Sequence, residues 1–68
     1  MNNMRKIRTA KGLKLKDLSR ALSVAEASVS RYECGTRIPN IDMMRRIAHE
    51  LGSTVDKIWP PATKQNTA

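Results

Sequence analysis

The sequence predicts an all-α fold: a compact bundle of five short helices over residues 1–60, followed by a polar tail, disordered by expectation, at 61–68. Three observations predict it. Apolar residues recur at three- and four-residue spacing, the period of a helix with one buried face. Gly12, Gly35 and Gly52 stand just past the points where that spacing stops, where helices take a C-terminal cap. Finally, 68 residues allow one domain, and a core that small buries only about 60% of the extended chain's surface.

The elements follow in order. Asn2 or Asn3 caps a first helix at about 3–11, with Met4, Ile7 and Ala10 on its apolar side and Leu13 closing the turn after Gly12. The second helix covers 15–22, and Lys14 stands where a Ser or Thr cap is preferred, a weak start. The third covers 26–34 and stops at Gly35. Pro39-Asn40 opens the fourth, at 41–51, where Asn40 is a good N-cap and Asp42 suits the positive end of the helix dipole. Its apolar stripe reads Ile41, Met44, Ile47, Ala48 and Leu51, and Gly52 ends it. A last short helix at 54–59 carries Val55, Ile58 and Trp59 before Pro60-Pro61 stops it. There is no internal repeat.

The stretch from Leu15 to Pro39 carries the most information. Leu18 and Leu22 mark the inner side of the second helix, Val29 and Tyr32 that of the third, and Ser23-Val24 fills the angle between them. Two short helices so joined form a helix-turn-helix, whose second helix enters the major groove of DNA.

Charge agrees with that reading. The chain carries a net +7, unevenly placed. Residues 1–37 hold nine Lys and Arg against Asp17, Glu26 and Glu33, a balance of +6; residues 38–68 hold four against Asp42, Glu50 and Asp56, a balance of +1. A basic half suits a polyanion, and the near-neutral half suits a protein partner. Other classes are excluded. One cysteine cannot form an internal disulfide and fits a reducing, cytoplasmic setting. No secretory signal and no long apolar run is present, so no membrane is expected. One Cys, one His and scattered carboxylates supply no zinc spacing and no catalytic dyad. No enzyme activity, no metal, no cofactor and no small-molecule ligand is therefore expected.

The landmarks Arg8-x3-Gly12-Leu13, Leu18, Leu22, Val24, Val29-Ser30, Tyr32-Glu33-x-Gly35, Pro39, Ile47-Ala48, Leu51-Gly52 and Val55-Asp56 run from Met4 to Trp59. In their order and spacing they resemble the lambda-repressor-like, XRE/Cro-type family of helix-turn-helix DNA-binding domains. The resemblance implies a bacterial or phage transcriptional regulator, nucleoid-associated when bound, that holds operator DNA as a homodimer. It also places Arg8 beside Glu33, linking the first helix to the end of the third. Three positions depart from the pattern. Leu15 stands where a Gln usually contacts a phosphate, Ser19 where Ala is usual, and Ser23 where the turn usually has Gly.

With Val29 and Tyr32 inward, the groove-facing residues of the third helix are Ala25, Glu26, Ala27, Ser28, Ser30 and Arg31. Arg31 has two roles open to it: a fork onto guanine O6 and N7, or a phosphate clamp. Glu26 likewise either accepts from cytosine N4 or simply stabilises the first helical turn. Ala27 offers a methyl to a thymine methyl. Phosphate contacts fall to Lys14, Leu15 (through its amide) and Lys16 at the start of the second helix. Thr36, Arg37 and Asn40 supply more beyond the third. Arg5, Lys6 and Lys11 are read as a solvated face. Met44, Ile58 and Trp59 are assigned to the core, and part of the surface formed by Met43, Ile47, Val55, Ile58 and Trp59 to a two-fold dimer contact. Cys34 is read as a solvent-facing thiol and His49 as a favourable partner of its helix dipole.

Three functions compete. A Cro-like repressor of a phage or mobile element is favoured, since a chain this short leaves little room for a sensing domain. An antitoxin or restriction-modification controller would use the same fold. A protein-interaction module, from a different class, is favoured by Leu15 and by the short side chains of the third helix.

Overall fold

The computed structural model describes residues 2–60. Five helices follow one another: α1 Met4–Ala10, α2 Leu15–Leu22, α3 Glu26–Cys34, α4 Ile41–Glu50 and α5 Val55–Ile58. The described residues hold no strand. Asn3, Lys11, Leu51, Thr54 and Trp59, which the sequence reading counted as helical, cap these helices instead. The tail at 61–68 lies outside the described residues.

Local chemistry sets each start. Asn40 Oδ1 accepts from the Met43 amide at 2.9 Å, and Thr54 Oγ1 accepts from the Lys57 amide at 3.2 Å. At the first helix Asn3 holds the N-cap position without a side-chain bond, and Asn2 Oδ1 accepts from the Met4 amide at 2.9 Å. Lys14 supplies no cap, but Asp17 reaches back to accept from the Lys14 amide at 2.8 Å. That bond steadies a start that looked weak from sequence.

Four helices stop in the same way. After α1, α2, α3 and α4 the chain takes one residue in the left-handed region: Gly12, Ser23, Gly35 and Gly52. In each case the next amide reaches back five residues. Leu13 bonds to Arg8, Val24 to Ser19, Thr36 to Arg31 and Ser53 to Ala48. This is the Schellman closure, which satisfies helix carbonyls that would otherwise lack partners. Three of the four positions are glycine. The exception, Ser23 at φ 58° and ψ 41°, lies in the turn between α2 and α3. A Cβ there costs about 1–2 kcal/mol, and glycine's extra unfolded-state entropy gives back about 0.5–1. Ser23→Gly is therefore expected to raise the unfolding free energy by about 0.5–1 kcal/mol. Urea unfolding of the two proteins measures it, and equal or lower stability in the variant contradicts the strain.

The core consists of Met4, Leu18, Leu22, Val29, Tyr32, Ile47, Ala48, Leu51 and Ile58, with Ile7, Leu13, Leu15, Val24, Met43, Val55 and Trp59 packed partly against it. α2 packs on α3 and α4, α1 on α3, and α5 on α4. Several sequence expectations are corrected. Ala10 is exposed, because α1 buries only Met4 fully. The inner face of α4 is rotated from the expected stripe. Ile41 is 54% exposed, and Met43 rather than Met44 packs on the core. Ile47 and Ile58, named as dimer candidates, have no exposed surface at all and belong to the interior of one copy. Ser19 is buried, and its hydroxyl donates to the Lys16 carbonyl at 2.9 Å, so the change from alanine leaves no polar group unpaired.

Candidate nucleic-acid interface

The turn at Ser23 sets how α3 projects from α2. Val29 and Tyr32 are buried on its inner side, together with Glu33. Ala25, Glu26, Ala27 and Arg31 are exposed, with Ser28 and Ser30 half-buried. Four of the six residues assigned to the reading face thus stand clear of the fold, and the two serines are partly withdrawn. Neither Glu26 nor Arg31 forms an ion pair or a side-chain hydrogen bond among the described residues. Because helical side chains lean toward the N-terminus, Arg31 extends back over the turn that holds Ala27, which has only a methyl to obstruct it.

The charged side chains around this face differ in how committed they are. Lys14, Lys16 and Arg37 are exposed and carry no side-chain bond among the described residues. Asp17 sits at the start of α2, where its charge would oppose any anion, so attraction there would have to come from the two lysines. Leu15 is half-buried on the core and offers the backbone only its amide. Thr36 is exposed, but its hydroxyl donates to the Arg31 carbonyl at 3.3 Å. That bond must break before Thr36 can donate to a phosphate. Asn40 is better placed: with Oδ1 engaged by the Met43 amide, its Nδ2 has donors to offer outward.

α3 is anchored on its inner side. Glu33 is 4% exposed, and its carboxylate is gripped side-on by Arg8, Nε to Oε2 at 2.6 Å and Nη2 to Oε1 at 3.2 Å. Arg8 also donates from Nη1 to the Leu13 carbonyl at 2.9 Å. One guanidinium thereby joins α1, the turn after it and the end of α3.

A helix-turn-helix family model matches residues 4–58. The chain belongs to this family, the XRE and lambda-repressor-like helix-turn-helix group. Membership points to DNA binding and transcriptional regulation. No curated protein matches the chain. Among the described residues no helix is long and apolar enough to cross a membrane, and no group of three or more His, Cys, Asp or Glu is arranged to hold a metal ion.

Within this helix-turn-helix frame, three positioning contacts were not foreseen. Arg5, read as part of a solvated face, brings Nε to 3.2 Å from Glu33 Oε1, although its side chain remains 62% exposed. Asn2 Nδ2 donates to the Tyr32 carbonyl at 2.8 Å, tying the start of the chain to the last turn of α3. Arg46 Nη2 donates to the Leu22 carbonyl at 3.1 Å, clamping the end of α2 just before the turn. Sequence offers little signal for the last two, because each pairs a side chain with a backbone carbonyl more than twenty residues away. Cys34 is exposed, as expected, with Arg5 Nη2 at 3.9 Å from its sulfur.

Proposed function

We propose that this chain is a Cro-like repressor of a phage or other mobile element that binds a palindromic operator in double-stranded DNA as a cytoplasmic homodimer. The observation that carries the DNA half is the exposed, uncommitted set Ala25, Glu26, Ala27 and Arg31 on α3, backed by a buried ionic anchor and bordered by Lys14, Lys16 and Arg37. Exposed side chains free of internal partners, on a helix anchored from its inner side, are available to a groove. The lysines and arginines fix its register on phosphates. The protein uses no enzymatic step, no metal and no cofactor.

The dimer contact moves from its sequence assignment. Ile47 and Ile58 are committed to the core, whereas Ile38 and Ile41 are 75% and 54% exposed. Ile38 lines a shallow groove with Gly35, Arg37, Met44 and Trp59, directly after the reading helix. A two-fold contact there is self-complementary, as pairing of identical copies requires. It would tie the two reading helices together for half-sites about 34 Å apart. A partner protein docking on the same isoleucines is the second reading.

Selection from randomised duplex DNA, with a salt titration on the retained sequence, tests the proposal. An inverted repeat is expected, bound with log K falling against log salt at a slope of about −5 for five or six phosphate contacts. Weak, sequence-blind binding that disappears near physiological salt favours the protein-partner reading.

A further inference from the structure

Glu26 is the one exposed acidic side chain of α3, in a chain of net charge +7. Elsewhere in the helix-turn-helix the acidic groups are engaged. Asp17 accepts from the Lys14 amide, and Glu33 is held by Arg8 and Arg5. Glu26 has neither kind of partner among the described residues, and α3 shows no side-chain cap that would employ it. Any duplex that docks on α3 brings phosphates toward this carboxylate and removes its water. The approach is unfavourable unless the groove offers a donor at that point.

Two donors exist in the major groove, the amino groups of cytosine and adenine. Adenine sets its N7 acceptor beside that amino group, which repels a carboxylate, whereas cytosine has no acceptor there. We propose that Glu26 is a specificity-determining residue that demands cytosine at one position of each half-site and rejects the other bases by charge. This rests on the DNA-reading role of α3 proposed above. Arg31 supplies the complementary demand for guanine through its planar fork. Five residues separate the two along α3, about 7.5 Å at the helical rise of about 1.5 Å per residue. The two side chains also leave the helix axis about 140° apart at about 3.6 residues per turn, so they reach different positions of the half-site. Ala27, between them, leaves only a methyl surface for the intervening step.

The test is parallel selection from randomised duplexes by the full chain, E26Q and R31A, with circular dichroism verifying that each variant is folded. Glutamine keeps the length of Glu26 but can both donate and accept, the pattern that matches adenine N6 and N7. E26Q is expected to change one position per half-site from cytosine to adenine, by about tenfold or more, and to leave the guanine position intact. It is also expected to bind unrelated duplex more tightly than the parent does. R31A is expected to lose the guanine and keep the cytosine. A parent consensus that E26Q reproduces unchanged overturns the role of Glu26 while α3 remains the reader. Failure of the parent to select any consensus overturns both.

Discussion

Glu33→Ala is expected to lower the unfolding free energy by about 3–5 kcal/mol, which for a domain this small is most of its stability. The cause is what the substitution leaves behind. Arg8, with a side chain only 12% exposed, would keep its charge and lose the carboxylate that two of its nitrogens hold. Its remaining bond, to the Leu13 carbonyl, does not neutralise it. Arg8→Ala is similarly damaging, because it leaves Glu33 buried with only the exposed Arg5 at hand. The pair itself adds little net stability, since both charges lose water to form it. The double variant should therefore be less destabilised than the sum of the two single ones. Urea unfolding of all four proteins gives the coupling directly. A coupling of zero would mean that the anchor behind α3 contributes only geometry.

Ile47→Ala is expected to cost about 2–5 kcal/mol, the range for a large buried aliphatic cut back to a methyl. Ile47 is completely enclosed by the core of a single copy. The loss of stability should therefore be the same at low and high protein concentration. If Ile47 lay in a dimer contact, the loss would fade on dilution. Thermal unfolding across a hundredfold range of concentration separates the two. A concentration-dependent loss would move Ile47 back to the subunit interface and leave the monomer core without its centre.

Where sequence reasoning succeeded and where it slipped follow from the range of the interactions involved. α2, its turn and α3 were legible because their signals are local. Leu18 and Leu22, then Val29 and Tyr32, mark one face each, and Gly35 marks a stop. Ser23 occupies the left-handed position that glycine takes after the other three helices. The phase of α4 was not legible. Ile41, Met43, Met44, Ile47, Ala48 and Leu51 support two overlapping stripes, and the packing of α2 and α5 against α4 selects the one through Met43. The same ambiguity hid the exposure of Ile41. On α3 the apolar residues Val29 and Tyr32 fixed the inner face. The clamps from Asn2 and Arg46 answer to backbone carbonyls brought near by the fold, which no local pattern encodes.

The central claim is that α3 and its flanking lysines and arginines form the surface that meets DNA. Amide chemical-shift mapping with the duplex retained from selection tests it most directly. The account predicts large shifts at Ala25–Arg31, at Lys14–Lys16 and at Thr36, Arg37 and Asn40, with α1 little changed. Shifts confined to Ile38, Ile41, Met44 and Trp59, with α3 silent, would contradict it.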